Sequence, residues 1–154
     1  MKIEEVVSSN HWSHKCHNLD LFVDSDNVVH LVYFITGNGV CEENEICGLV
    51  HQTLGEIGSS NVITQALEEN GAVIDFDAVM DLQGNVHLVY KLGNDIIYEK
   101  RNAQTTLANQ VIETISSTLK VVALTVDGQD RAHVFYGTLL EWPLISLKYV
   151  RMDE

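Results

Sequence analysis

Asp24-Ser-Asp-Asn-Val-Val-His30-Leu-Val-Tyr33 decides the fold, because the chain writes the same phrase twice more. It returns as Asp81-Leu-Gln-Gly-Asn-Val-His87-Leu-Val-Tyr90 and as Asp127-Gly-Gln-Asp-Arg-Ala-His133-Val-Phe-Tyr136. The shared form is Asp, five residues, His, Leu or Val, any residue, Tyr. Three matches at one internal spacing define a repeat. An apolar run precedes each Asp, at 19–23, 73–80 and 121–126, and a β-branched and aromatic run follows it. Polar turn residues between two such runs reverse the chain, so the phrase predicts a β-hairpin.

Two further runs complete the unit. Leu49-Val-His51, Ile96-Ile-Tyr98 and Leu147-Lys-Tyr149 share a register and predict a third strand; 62–66 and 110–115 predict a fourth. The alternation has period two and helical periodicity is almost absent. The third copy has no fourth strand after it, but the N-terminus supplies one. Lys2-Ile3-Glu4-Glu5-Val6-Val7-Ser8-Ser9 aligns with Gln110-Val111-Ile112-Glu113-Thr114-Ile115-Ser116-Ser117. Such a circular offset is the closure device of β-propellers, where one blade is assembled from both chain ends.

Four strands per unit and a period of about 50 residues fit propeller blades. The Asp-Gly-Asn-x-His-x-x-Tyr phrase resembles repeats of the sialidase-like and lectin-like β-propellers, and the resemblance covers nearly the whole chain. It implies an all-β fold of three four-stranded antiparallel blades, at about 19–66, 73–115 and 119–151, within one domain spanning 1–154. The chain departs from those families at two places. Ile57 and Leu107 stand nearest their usual Trp between the third and fourth strands, and the Asp-box pattern is absent.

Propellers typically need about four to eight blades, so three would leave two apolar faces and unpaired edges bare. Two chains related by a two-fold axis would close a six-bladed ring. Strand 2–7 would then complete the third blade of the partner, a strand exchange by β-augmentation. A homodimer is expected, with a higher ring or an open three-sheet fold as alternatives.

Composition bounds the partners. The formal net charge is -13, with nine Lys and Arg against 22 Asp and Glu. Counterion release from a polyanion requires clustered basic residues, so nucleic acid and anionic membranes are disfavoured. Neutral or cationic ligands fit better. No apolar run reaches the roughly 20 residues of a membrane span. The N-terminus lacks a signal peptide's basic-then-apolar order, so a cytoplasmic protein is expected, with secretion as the alternative. Cys16, Cys41 and Cys47 are then expected as thiols; export would allow a Cys41–Cys47 disulfide.

Candidate sites fall in four places. His30, His87 and His133 recur at one point of different blades, which favours hydrogen bonding within each blade, to the repeated Asp, over a shared metal. The segment His11-Trp12-Ser13-His14-Lys15-Cys16-His17 carries zinc-ligand types at a spacing that matches no common site, so no metal and no cofactor is expected. Loop lengths between second and third strands differ: 34–48 is long, 91–95 minimal and 137–144 intermediate. Long loops on a regular scaffold are where function concentrates. Trp12, Trp142, His11, His14 and Glu141 are therefore expected to line a cleft at the subunit seam that suits a sugar or small molecule, with each Trp covering a blade edge as the alternative. Asp20 and Asp77, at equivalent places on inner strands, would add carboxylates around the axis, as ligand contacts or as acceptors for neighbouring backbone.

Paired catalytic carboxylates, convergent arginines and nucleophile motifs are missing from the pattern. The expectation is a non-catalytic, lectin-like binder of a neutral glycan or small molecule. A protein-interaction platform is the first alternative and a glycoside hydrolase- or lyase-like enzyme the second.

Overall fold

A computed structural model of the chain describes residues 15–36, 48–54, 60–65, 76–103, 105–116, 119–141 and 144–152. Every regular element in them is a β-strand, as the period-two alternation requires. Sheet 1 is the meander β1 (Lys15–Val23), β2 (Val29–Thr36), β3 (Gly48–Leu54) and β4 (Ser60–Gln65). Sheet 2 repeats it with β5 (Phe76–Met80), β6 (Val86–Leu92), β7 (Asp95–Arg101) and β8 (Thr106–Thr114). Sheet 3 has three strands among the described residues: β9 (Leu119–Val126), β10 (Ala132–Glu141) and β11 (Leu144–Met152). All pairs are antiparallel. The expected strand 2–7 lies outside the described residues. No helix among them is long and apolar enough to cross a membrane.

The repeated phrase forms the first hairpin of each sheet. In each turn the Asp carbonyl accepts from the residue three further on, and the Asp N–H donates to the carbonyl four further on. The chain turns back through positive φ at Asn27 (63°), Gly84 (81°) and Asp130 (60°), one position in three copies. Asn, Gly and Asp are the residues that tolerate this left-handed conformation best. One expected loop proves to be strand. Within 137–144, β10 runs on to Glu141, and Thr138, Leu139 and Glu141 pair with Ser146, Ile145 and Leu144, with a bulge before Glu141. Backbone pairing, which residue identity alone encodes poorly, extends this hairpin.

Each sheet has two apolar faces, and the sheets stack on them. The front face of sheet 2 (Phe76, Ala78, Val86, Leu88, Tyr90 and Ile97) packs against the back face of sheet 1 (Val32, Phe34 and Leu49). The front face of sheet 3 (Val122, Ala132, Val134, Tyr136 and Met152) packs in the same way on Val89, Ile96 and Tyr98 of sheet 2. Burial on both faces is what the near-continuous apolar runs of β2 and β6 encode. Side-chain bonds add to the second junction: Glu113 of β8 accepts from Tyr136 Oη at 2.7 Å and from Lys148 Nζ at 2.5 Å.

Candidate functional site

The Asp of each turn organises its hairpin. One carboxylate oxygen takes the N–H groups two and four residues on: Asp26 and Val28 on Asp24, Gln83 and Asn85 on Asp81, Gln129 and Arg131 on Asp127. The other oxygen meets the repeated histidine. His30, His87 and His133 place Nε2 at 3.1, 3.1 and 3.0 Å from Oδ2 of Asp24, Asp81 and Asp127. An ionised carboxylate only accepts, so Nε2 carries the proton and Nδ1 is left as an acceptor. Tyr98 and Tyr149 donate to it at 2.7 Å in sheets 2 and 3. The hydrogen bonding within each sheet that the sequence suggested is therefore present, and the third-strand residue completes it.

Sheet 1 departs from this pattern. His51 stands where the other sheets have Tyr, with Nε2 at 2.9 Å from His30 Nδ1 and the rings stacked at a centroid distance of 5.2 Å. His51 is fully buried, and its Nδ1 has no hydrogen-bond partner. Burial, then the electrostatic influence of Arg101 and of neighbouring His30, lowers its pKa to about 3. It is thus neutral, an Nε2–H donor with an unused lone pair.

Asp20 and Asp77 lie on neighbouring inner strands. Asp77 Oδ2 accepts the Leu124 N–H of β9 at 2.6 Å, and Oδ1 accepts the Ala78 N–H at 3.0 Å. Burial raises the Asp77 carboxyl above its usual pKa, against the backbone bonds. Asp20 is raised by burial and then by Asp77, while the Ala78 amide pulls it down. Asp77 thus bonds an inner-edge amide of the following sheet, the backbone alternative expected for it. Ala123 occupies the position in sheet 3.

Of the other expected site residues, Trp12, Trp142, His11 and His14 lie outside the described residues, as do Cys41 and Cys47. Glu141 ends β10 opposite Leu144. No group of three or more His, Cys, Asp or Glu side chains among the described residues could hold a metal ion.

A groove of about 510 Å³ opens instead at the turn end, between sheets 1 and 2. Asp24, Asp26, His30 and Thr53 line one side, and Gln83, Asn85 and Asn102 line the other. The hairpin turns meet there, since a Cβ on Gly84 would lie 3.4 Å from Asp24 Cβ.

The chain matches no protein-family model, and no curated protein or solved structure resembles it significantly. Its geometry must carry the functional reading.

The groove exists because one position of the repeat varies. Thr53, Lys100 and Arg151 pair with the three repeated histidines in the register. In sheet 2 the buried Lys100 reaches Asp81 Oδ2 at 3.6 Å, whereas the short Thr53 leaves that place open beside Asp24. A substitution of Thr for Lys or Arg at an otherwise matched position was the available sequence signal. It lies outside the aligned phrase.

Proposed function

We propose that the chain is half of a closed homo-oligomeric β-propeller that acts as a non-catalytic, lectin-like binding protein. The supporting observation is the fate of equivalent faces. Val32 and Leu49 of sheet 1 are covered by sheet 2, and Val89 and Ile96 of sheet 2 by sheet 3. Their equivalents in sheet 3, Phe135 and Leu147, are 54% and 73% exposed, beside Tyr149 at 50%. On the front side, Phe76 and Ala78 pack on sheet 1, and Val122 and Leu124 on sheet 2. The corresponding Leu19 and Leu21 of sheet 1 are 55% and 56% exposed, with Val23 at 54%. Further out on that face Leu31, Tyr33 and Val50 are buried, so the bare part is the inner strand.

One bare face has the character of a covered back and the other that of a covered front. A second copy offers each its complement, and a two-fold pair joins both seams at once. Completely burying a Leu or Phe side chain stabilises by about 1.5–3 kcal/mol, and roughly half of that gain remains for these residues. The proposed ring has six blades, with strand 2–7 completing the partner's third sheet. Sedimentation tests it. A mass of twice the 17.2 kDa chain mass at micromolar concentration supports the pair, and a stable monomer refutes it.

The non-catalytic part of the reading rests on how the Asp–His pairs are used. Their carboxylates hold turns and two of the three histidines are buried, so they serve as scaffold. The ligand class is a neutral glycan or small molecule, with Trp12, Trp142, His11, His14 and Glu141 proposed at the seam. Glycan-array binding reduced in Trp12→Ala and Trp142→Ala proteins supports it; affinity unchanged in both sinks that placement.

A further inference from the structure

The three copies of the turn aspartate differ in one respect that the scaffold role leaves open. Asp81 Oδ2 accepts from His87 Nε2 and Asn85 Nδ2, and the Lys100 ammonium stands 3.6 Å away. Asp127 Oδ2 accepts from His133 Nε2 and from Arg131, whose Nη2 lies 2.7 Å away. Among the described residues Asp24 Oδ2 accepts from His30 alone. Its neighbours at the two supplying positions are Val28, in place of Asn85 and Arg131, and Thr53, in place of Lys100. Among the described residues Asp24 therefore meets no ammonium or guanidinium, although its carboxylate has the same turn, the same histidine and unused acceptor capacity.

The space the missing cation would fill is the groove between sheets 1 and 2. Its wall carries the carboxylates of Asp24 and Asp26, the amides of Gln83, Asn85 and Asn102, and apolar surface from Val28 and Leu54. That combination suits a cationic head on an aliphatic stem. The Arg101 guanidinium, on the face of sheet 2 turned to sheet 1, is engaged by Glu99 Oε1 at 3.1 Å. We propose that this groove binds an alkylammonium group, with Asp24 Oδ2 receiving from a ligand the charge that Lys100 brings to Asp81. The site lies within one chain, so it stands whether or not the propeller closes, and its test does not depend on oligomeric state.

Titration of n-butylammonium and of Nα-acetyl-lysine N-methylamide into ¹⁵N-labelled protein tests it, with n-butanol as the neutral control. Saturable shifts of the Thr53, Asn85 and Asn102 amide signals with an ammonium probe, and none with butanol, are expected. Response to butylammonium alone points to free amines, and response to the lysine derivative alone points to a lysine side chain of a partner protein. Thr53→Lys puts the chain's own ammonium in the groove and should raise the apparent Kd by about tenfold or more. Asp24→Asn keeps the turn acceptor, removes the charge and should abolish the response. The proposal is overturned if neither ammonium probe shifts the signals, if butanol does so equally, or if a folded Thr53→Lys or Asp24→Asn protein keeps wild-type affinity.

Discussion

Replacing His51 by Tyr rebuilds in sheet 1 the Tyr-to-His contact of sheets 2 and 3, and it should change how stability depends on pH. His51 titrates near 3 in the folded chain, against an ordinary value of 6.5, because it is buried beside Arg101 and His30. Below the unfolded value the unfolded chain takes up a proton at this residue that the folded chain refuses. The histidine's contribution to stability is therefore intact above about pH 6.5 and lost as pH falls towards about 3. Each pH unit in that window corresponds to about 1.4 kcal/mol, so about 2 kcal/mol is gone by roughly pH 5. Tyr has no such titration. Urea unfolding followed by circular dichroism near neutrality and near pH 5 should show a drop in wild type that is smaller by about 2 kcal/mol in His51→Tyr. The larger ring could strain the core, but strain shifts both pH values alike and leaves their difference untouched. Equal drops in the two proteins would refute the neutral, buried His51.

Asp81→Ala should be the most damaging of the three turn-aspartate substitutions. Its side chain is fully buried, whereas those of Asp24 and Asp127 are 17% and 25% exposed. The change takes the buried acceptor away from His87 Nε2 and the turn N–H groups, and the negative charge away from the nearby Lys100 ammonium, a loss of about 3–5 kcal/mol for one partner of a buried pair; denaturation midpoints that fall equally for all three would contradict this. The acid limb should show the same residue. Burial pushes the Asp81 carboxyl up, but the bonds from Asn85 and His87 outweigh it and hold the pKa below its usual value. Its stabilisation is full above about pH 4 and fades as pH falls further. Asp81→Asn should flatten that limb, as read by unfolding midpoints. Asp77 has the opposite sign, since its raised pKa makes the folded state more stable as pH falls towards about 4. Asp77→Asn should raise the midpoint at neutral pH, whereas Asp77→Leu, which loses the Leu124 N–H acceptor, should lower it, through a loss of about 1 kcal/mol or more of unfolding free energy. Identical midpoints for Asn and Leu would remove the inter-sheet bond from the account.

By itself the sequence determined the repeat, its hairpins and the strands of all three sheets, because turn chemistry and period-two alternation act over a few neighbouring residues. It also made the His–Asp bond legible, since a separation of six residues across a tight hairpin leaves little geometric freedom. The partners of Asp20 and Asp77 were legible only as a choice. A carboxylate on an inner strand can face a ligand or an amide of the next sheet, and the stacking of sheets brings the Leu124 amide to Asp77. The third-strand partner of each histidine, the continuation of β10 to Glu141 and the groove beside Asp24 were settled by tertiary structure alone. Each depends on which residues the register sets opposite one another across a sheet or between sheets. Thr53, Lys100 and Arg151 are unremarkable in the chain; only the fold puts each of them beside a repeated histidine and, among the described residues, leaves one aspartate of three without a cation.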